Sequence, residues 1–471
     1  MRPASPKRSA GRTLRPRGRG RPVRRWIANG RLFTPDGKEA VGHLAVEGGW
    51  IADVRFGPPP PPAEVALDAE GLWLFPAFVD VHVHFREPGQ THKETIETGS
   101  RAAARGGFAT VVMMPNTDPP LDRPERFRAA LRQAARTARV RVYGTAAITL
   151  DQRGETLVDM AALARLGAVG FTDDGRGIAR SDVMRAAFRL ARAVDRPILM
   201  HSEDAALSAG GVFRPEAPPV RRGVRPWPKV AEAAPLFRDV LLAAEAKARY
   251  HVQHVSTALS LEAIALGRRL GADVSAEVTP HHLILTAEDI PDVDPDTPEG
   301  RRRLGPYKMN PPLAPAADVD ALRRALADGT IDLVATDHAP HAEDEKARPI
   351  DRSPFGIVGL ETAFPLLFTA LVRTGHLTLR RLVEAMSVRP AARFRLPGGR
   401  IAPGAPADVV LVDLETPRPV DPATFFSKGK NTPFAGRVLY GWPVATFVAG
   451  RVIYADPDRV PPSALRRFGG R

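Results

Sequence analysis

Residues 80–89 read Asp-Val-His-Val-His-Phe-Arg-Glu-Pro-Gly. Valines at positions 79, 81 and 83 alternate with Asp80, His82 and His84, which is the two-residue period of a β-strand. This period places His82 and His84 on the same side of the strand, close enough to hold one metal ion. Arg86 follows just past the predicted strand end, where a cation can meet an anionic substrate. In a lone His-x-His strand the two histidines more often form only hydrogen bonds. The metal-binding interpretation therefore depends on other His and Asp residues at strand ends later in the chain.

Length and composition limit the classes of protein that the chain can belong to. With 471 residues it is long enough for one large barrel plus a smaller second domain. No apolar run of eighteen or more residues is present, so we predict no transmembrane helix. The chain contains no cysteine, which excludes disulfides and leaves His, Asp and Glu as metal ligands. We recognise no secretory signal sequence and therefore predict a cytoplasmic location.

The positive charge is concentrated at the N-terminus. Ten cations and no acid lie within residues 1–25, and the remaining chain carries only the other +4 of the +14 net charge. We predict that residues 1–25 form a disordered basic tail, because they are rich in Pro, Gly and Arg and poor in apolar residues. The rest of the chain is mildly basic, so we expect no nucleic-acid partner. Binding of nucleic acid by the tail alone stays open as a less favoured alternative.

The middle of the chain alternates between short apolar runs and amphipathic runs. Such an alternation of strands and helices predicts a parallel sheet, and about eight units predict a (β/α)8 TIM barrel, which we place at residues 76–392. The predicted strands after the first are 110–114, 140–144, 167–172, 197–201, 251–255, 273–278 and 331–336. The predicted helices include 95–105, 124–136, 181–194, 235–249 and 258–270.

Short β segments flank this barrel at both ends. Residues 26–75 contain a strand with a predicted turn at Asn29-Gly30 and a predicted hairpin across Gly48-Gly49. Residues 393–471 contain further strands, including a predicted hairpin across Gly450, and a C-terminal tail. The simplest arrangement is one small β domain assembled from the N- and C-terminal segments. Residues 287–306, rich in Asp, Pro and Arg, are predicted to form a long surface loop.

Five predicted barrel strands end in residues that can bind a metal. They supply His82 and His84, the pair Asp173-Asp174, His201, His254, and Asp337 with the nearby His341. Barrel enzymes build their sites from the C-terminal ends of the strands, so five such ends together predict a metal site. Four histidines and two carboxylates suit two divalent ions, with zinc favoured, bridged by a shared carboxylate and a shared hydroxide. Asp337 is placed to take the proton of this hydroxide and deliver it to a leaving nitrogen.

Several motifs together resemble the long, type I class of bacterial dihydroorotases in the amidohydrolase superfamily. The resemblance extends over nearly all of residues 26–456. It rests on residues 80–89, Met-Pro-Asn-Thr at 114–117, Phe-Thr-Asp-Asp-Gly at 171–175, His-Ser-Glu-Asp at 201–204, Glu-Val-Thr-Pro-His-His-Leu at 277–283, Asn-Pro-Pro-Leu at 310–313, 336–341, 354–362 and 427–434.

The resemblance implies a set of metal ligands and an activity. It implies that His82, His84, Asp174 and Asp337 hold one zinc ion, and that Asp174, His201 and His254 hold the second. The choice of Asp174 over Asp173 rests on the resemblance alone, because sequence pattern cannot separate adjacent acids. The implied reaction is the reversible cyclisation of N-carbamoyl-L-aspartate to dihydroorotate in de novo pyrimidine synthesis, with Asp337 as the proton carrier.

The resemblance also implies substrate contacts and partners. The implied substrate-binding residues are His84, Arg86, Asn116, Asn310, His341, Phe355 and Gly356. Arg86 offers a bidentate fork for the substrate carboxylate, whereas Asn310 and the Phe355–Gly356 backbone resemble contacts to the ring amide. His281 and His282 are implied to be core or supporting residues rather than ligands. A homo-oligomer and an association with aspartate transcarbamoylase are further implied.

Two other functions remain as alternatives at this point. An allantoinase or hydantoinase would share the barrel, although such enzymes usually carry a lysine at the fourth strand, where this chain has Asp173-Asp174. A catalytically silent barrel that scaffolds aspartate transcarbamoylase would normally have lost metal ligands, and all six candidate positions are present here.

Overall fold

The computed structural model describes residues 23–34 and 37–469. Residues 1–22 of the predicted basic tail lie outside the described residues, and Arg25 already belongs to the first strand, so the predicted tail boundary at 25 was slightly too late. The strands of the described residues are β1 (Arg25–Phe33), β2 (Glu39–Glu47), β3 (Trp50–Phe56), β4 (Val65–Asp68), β5 (Trp73–Pro76), β6 (Phe78–Val83), β7 (Phe108–Met113), β8 (Arg141–Gly144), β9 (Ile198–Met200), β10 (Arg249–Val252), β11 (Asp273–Val278), β12 (Leu333–Val334), β13 (Val409–Asp413), β14 (Arg418–Pro419), β15 (Val438–Leu439), β16 (Trp442–Val448) and β17 (Arg451–Ala455).

The α-helices lie mainly between the strands from β6 onward. They are α1 (Ile96–Arg105), α2 (Pro124–Thr137), α3 (Met160–Arg165), α4 (Ser181–Ala193), α5 (Ala205–Ser208), α6 (Val230–Ala246), α7 (Ala258–Arg269), α8 (Pro280–Ile284), α9 (Pro298–Leu304), α10 (Ala316–Asp328), α11 (Glu343–Lys346), α12 (Ala363–Leu367), α13 (Leu379–Val383), α14 (Arg389–Phe394) and α15 (Pro462–Arg467). In the described part of the chain, no helix is long and apolar enough to cross a lipid bilayer.

The predicted barrel is confirmed, with a weak fourth strand. β6, β7 and β8 pair in parallel, and β9 to β12 form a second parallel set. Among the described residues, the bridges that connect the two sets are those of Phe171 to Ala146 and Ile198, and backbone hydrogen bonds of residues 169–172 accompany them. The strand predicted at 167–172 is therefore present as a pairing position but shorter than predicted. A parallel bridge between Val83 and His338 closes the ring. The carboxyl ends of all these strands therefore face the same end of the barrel.

Both ends of the chain build one small β sheet, as predicted. Its strand order is β17-β16-β13-β5-β1-β2-β3, with β4 also paired to β1. The antiparallel pairing of β13 with β5, for example Val410 opposite Phe75, joins the C-terminal segment to the N-terminal one. A separate apolar cluster that includes Ile27, Leu44 and Phe447 forms the core of this sheet. The sheet is thus a second packed layer beside the barrel.

Two local predictions were wrong. Asn29-Gly30 is not a turn, because β1 continues through it with a shift in register against β2 between Ile27 and Gly30, which is a β-bulge. Residues 287–306 are not one surface loop, because they contain α9 and place Ile290 and Leu304 in an apolar core cluster. By contrast, the hairpin across Gly48-Gly49 is confirmed, since both glycines have the positive φ that its turn requires.

Candidate functional site

The two histidines of β6 converge on one carboxylate. His82 and His84 have ring centroids 5.3 Å apart, and both approach Oδ1 of Asp337 through Nε2, at 3.4 and 2.9 Å. Asp337 follows β12, which lies next to β6 where the barrel closes, and its φ of 48° shows that the regular strand conformation has ended there. All three residues are buried. The strand-end arrangement expected of a barrel enzyme is therefore present here.

Asp174 lies between these histidines and His254. Its Oδ1 is 3.3 Å from Nε2 of His82 and 4.0 Å from Nε2 of His254, and its Oδ2 is 3.5 Å from Nε2 of His84. It therefore faces three imidazole rings at once. Two groups of the described residues can each offer three donor atoms to one ion, His82–His84–Asp337 and His82–Asp174–His254.

The adjacent Asp173 points into the protein instead. Its Oδ1 accepts hydrogen bonds from the backbone N–H groups of Ile148 and Thr149, at 2.8 and 3.1 Å, and its Oδ2 accepts one from Thr149 Oγ1. Burial raises the pKa of the Asp173 carboxyl to about 6, although the Thr149 hydroxyl works against the shift. The structure thus separates two acids that sequence pattern could not.

His201 lies at the edge of this cluster rather than in either group. Its Nδ1 is 2.9 Å from Nε2 of His254, and its Nε2 is 3.0 Å from Oε2 of Glu203. Asn310 also reaches this corner, because its Nδ2 donates to Glu203 Oε2 at 2.7 Å and lies 3.2 Å from His201 Nε2. His254 Nδ1 is buried and has no hydrogen-bond partner among the described residues.

Hydrogen bonding behind the rings shows that the cluster fits a divalent cation. His82 Nδ1 lies 2.6 Å from Glu277 Oε1, and His84 Nδ1 lies 2.9 Å from Asn116 Oδ1. Both partners are oxygen acceptors, so each ring donates from Nδ1 and its Nε2 is the atom that faces the carboxylates. Burial lowers the pKa of His82, but the carboxylates of Glu277, Asp174 and Asp337 outweigh burial and raise this pKa well above its ordinary value, so the carboxylates favour a positive charge at this place. A divalent cation held by imidazole and carboxylate would supply that charge in place of the Nε2 proton.

Glu277 is a residue of this site that our sequence analysis did not single out as functional. It lies on β11, is fully buried, and contacts His82 through Oε1 and His251 through Oε2, the latter at 2.9 Å from Nε2. Burial alone would raise the pKa of this carboxyl, but the neighbouring His82 and His251 outweigh burial and hold it at about 2. The available signal was an acid next to the C-terminal end of a predicted barrel strand, at a position that is buried.

Replacing Glu277 by Gln is expected to weaken metal binding about 10–100-fold, the usual cost of losing an outer partner of a metal-binding histidine. Glutamine keeps the shape but removes the charge that orients His82. Competition with a chromophoric zinc chelator measures the affinity. An exposed acid in the same barrel, Glu288 at the start of the 3-10 turn Ala287–Asp289, provides a matched Glu→Gln control. Equal affinity of both variants would contradict this role for Glu277.

Arg86 and His341 form a second part of the site. Arg86 is buried and has a φ of 56°; its Nε donates to the carbonyl oxygen of Pro340, and its Nη2 lies 3.2 Å from His341 Nε2. His341 Nε2 also lies 2.8 Å from the carbonyl oxygen of Phe355, and its Nδ1 is 3.4 Å from Lys93 Nζ. Burial, with Arg86 close by, lowers the pKa of His341 well below its ordinary value, so the ring is neutral.

The remaining predicted residues fall into two groups. Asn116 connects the two parts of the cluster, since its Nδ2 donates to Asp174 Oδ2 at 3.0 Å while its Oδ1 faces His84. Gly356 follows Phe355 and lies against His341. A Cβ atom added to Gly356 would lie 3.3 Å from His341 Nε2. His281 and His282 are in neither metal group; His282 bonds to Thr279 and to the carbonyl of Pro311, and burial lowers its pKa to about 4.

Comparison with known proteins identifies the family. A family model described as dihydro-orotase-like matches residues 71–260. The dihydroorotase of Bacillus caldolyticus is 49% identical over 429 residues, which cover 91% of this chain and 98% of that protein. This chain belongs to the dihydroorotase family. A second member, the dihydroorotase of Listeria innocua, is 49% identical over 392 residues, 83% of this chain and 90% of that protein.

Solved structures show the same fold outside this dihydroorotase family. The L-hydantoinase of Arthrobacter aurescens aligns with a TM-score of 0.79 at 28% identity, covering 91% of this chain and 96% of that one. A dihydropyrimidinase from Brevibacillus agri has the same TM-score at 23% identity, over 94% and 97% of the two chains. These likenesses confirm the predicted barrel with its small β domain, whereas the much higher identities are to dihydroorotases.

Proposed function

We propose that this protein is a dihydroorotase, which interconverts N-carbamoyl-L-aspartate and dihydroorotate in de novo pyrimidine synthesis. The observation that carries the proposal is the position of Arg86 and His341 beside the buried cluster of His82, His84 and Asp337. An anion-binding group next to a metal-binding group suits a cyclic amide that carries a carboxylate. The identity of 49% to named dihydroorotases supports the same assignment.

We assign the metal ligands as two overlapping sets. His82, His84, Asp174 and Asp337 would hold one zinc ion, and Asp174, His201 and His254 would hold the other, with Asp174 shared. His201 would have to leave its contact with His254 Nε2 for both rings to bind the second ion. A bound pair supplies Lewis acidity to the substrate carbonyl and makes water a nucleophile at neutral pH.

The chain's own residues supply binding and proton transfer. Arg86 would hold the substrate carboxylate with its guanidinium fork, with Asn116 and neutral His341 as further donors. His82 and His84 both approach Oδ1 of Asp337, so we assign the mobile proton to Oδ2. In hydrolysis, Asp337 takes the proton of the attacking water and delivers it to the ring nitrogen as the carbon–nitrogen bond breaks. In cyclisation the same residues act in reverse.

We place the remaining substrate contacts on three further residues. Asn310 lies beside His201, and Phe355 and Gly356 lie beside His341, so the two sets approach the site from different sides. We assign Asn310 and the Phe355–Gly356 backbone to the ring amide, and His84 to the substrate as well as to the metal. We further propose a cytoplasmic homo-oligomer that associates with aspartate transcarbamoylase.

Dihydroorotate absorbance during incubation with zinc-loaded protein tests the function. We expect turnover by the zinc-loaded protein and loss of at least about 100-fold after chelation, because metal-assisted attack supplies several kcal/mol of the lowered barrier. Allantoin and hydantoin serve as comparison substrates. Turnover of hydantoin or allantoin without dihydroorotate would replace the proposal by a related cyclic amidohydrolase. Metal-loaded protein that is inactive on all three, with and without aspartate transcarbamoylase, would indicate a silent scaffold.

A further inference from the structure

Two lysines are buried beside the candidate site without belonging to it. The exposed fraction is 1% for Lys308 and 5% for Lys346, although lysine is almost never fully buried in proteins. Burial lowers the pKa of Lys308 to about 8 and that of Lys346 well below its ordinary value. Such burial is unfavourable for an ammonium group, and apolar side chains could fill the same space without this cost. A specific task for these ammonium groups is therefore expected.

Lys346 uses all three of its N–H donors on backbone carbonyl oxygens. Its Nζ donates to the carbonyl of Pro354 at 2.8 Å, and to those of Lys308 and Gly356 at 3.0 Å each. The three acceptors belong to two segments that are separated in sequence, 308 and 354–356. One ammonium group thus joins these segments at a single point, with every donor satisfied.

Lys308 reinforces the same junction. Its Nζ donates to the carbonyl of Ile350 at 2.6 Å and lies 4.3 Å from the ring centroid of Phe355, a cation–π contact. Its own carbonyl oxygen accepts from the backbone N–H of Gly356 at 2.9 Å, as well as from Lys346. The two lysines therefore hold residues 350–356 against residue 308 from both ends.

Each joined segment leads directly to the candidate site. Two residues after Lys308, Asn310 Nδ2 lies 3.2 Å from His201 Nε2. In the other segment, the carbonyl oxygen of Phe355 faces His341, and Gly356 has a φ of 126°. A Cβ atom on Gly356 would lie 2.6 Å from that of Ala339, so only glycine fits where this backbone passes so close to residue 339.

We propose that Lys346, supported by Lys308, is a positioning residue that fixes Asn310 and the Phe355–Gly356 backbone as one rigid wall for the ring amide of the substrate. The proposal rests on the dihydroorotase function proposed above and deepens it. The lysines touch neither substrate nor metal. They act through the two segments that they join, so their contribution is to substrate binding rather than to the reacting atoms.

Lys346→Met tests this role, because methionine keeps the length and removes the ammonium donors. We expect KM for dihydroorotate to rise about tenfold or more while kcat stays within about threefold, the pattern of lost uniform binding. Lys247→Met is the matched control, because Lys247 is exposed and follows α6, at the opposite end of the barrel. The KM of this variant should equal that of the wild type. A fall in kcat with unchanged KM would overturn the proposal.

Restoring the ammonium provides the decisive second measurement. The chain has no cysteine, so the thiol introduced by Lys346→Cys is the only one that 2-bromoethylamine can alkylate. The product is a lysine analogue in which sulfur replaces one methylene group. Alkylation in denaturant and refolding with zinc should return KM to within about twofold of wild type treated identically. Recovery of folding without recovery of KM would contradict positioning. If Lys346→Met does not fold, Lys308→Met carries the same KM test.

Amide hydrogen exchange separates failure of this inference from failure of the proposed function. Peptides that cover residues 346–357 should exchange faster in Lys346→Met than in wild type, whatever reaction the protein catalyses. Unchanged exchange would overturn the positioning role. If wild type shows no dihydroorotate turnover while exchange in the variant rises, the function assignment fails and the structural part of the inference survives.

Discussion

Asp337→Asn is expected to lower kcat for dihydroorotate by about 10²–10⁴-fold, the range that a positioned proton carrier contributes. Asparagine retains the oxygen that faces His82 and His84 but cannot take up a proton from water and release it to the leaving nitrogen. The Oδ1 contacts of 3.4 and 2.9 Å belong to the metal-binding side of the carboxylate. Steady-state kinetics at saturating zinc measure the loss.

Zinc content must be measured on the same samples, because Asp337 is also a proposed ligand. Activity per bound zinc separates proton transfer from metal loss, and we expect this ratio to fall as far as kcat does. Asp332→Asn is the matched control, since Asp332 lies just before β12, where it accepts from Arg268 and from the backbone of Ala276. A variant with normal activity per bound zinc would show that Asp337 is a ligand only.

The barrel was predictable because its strands carry their own signal. β11 occupies residues 273–278, as predicted, and β6 contains the alternation of valines at 79, 81 and 83. These runs are buried on both faces, apart from Asp273 at the start of β11, because a barrel strand is covered by helices outside and by side chains inside. The length of the fourth strand was overestimated, since among the described residues only Phe171 makes bridges there, and an apolar run does not reveal how far regular strand pairing extends.

The errors came from local signals that distant contacts override. Asn29-Gly30 is a strong hairpin signal, yet β1 keeps pairing with β2 on both sides of it, so sheet pairing absorbs the dipeptide as a bulge. In residues 287–306 the many charged and proline residues hid two anchors, Ile290 and Leu304, that pack into the core. The spacing of apolar residues indicates which face of one helix or strand is buried. It does not indicate which distant part of the chain packs against that face.

Within the site, residue types were predictable but directions were not. The strand-end rule brings His82, His254 and Asp337 to the same end of the barrel, because parallel strands share that end. It does not say which neighbour each ring faces. His201 was assigned beside His254 by resemblance, and the structure adds that its second nitrogen contacts Glu203, a pairing that depends on two side-chain rotamers.

Asp174→Ala and Asp173→Ala remove the same group from adjacent positions, but we expect the first to lower zinc affinity and the second to lower the free energy of unfolding. Asp174 faces His82, His84 and His254, so its loss should lower zinc affinity by more than the about 10–100-fold that an outer partner costs. Asp173 accepts two backbone N–H groups and the Thr149 hydroxyl, so its loss should leave buried donors unpaired. That loss should cost about 1–3 kcal/mol of unfolding free energy.

Zinc titration and urea unfolding of both variants measure the two effects side by side. Asp174→Ala should retain most of the unfolding free energy of the metal-free wild type and lose bound zinc and turnover together. Asp173→Ala should unfold at lower urea concentration, yet bind zinc with affinity close to wild type once folded. The reverse pattern would make Asp173 the shared ligand. The two acids differ physically in their partners, because Asp173 is bonded to Thr149 whereas Asp174 faces three imidazole rings.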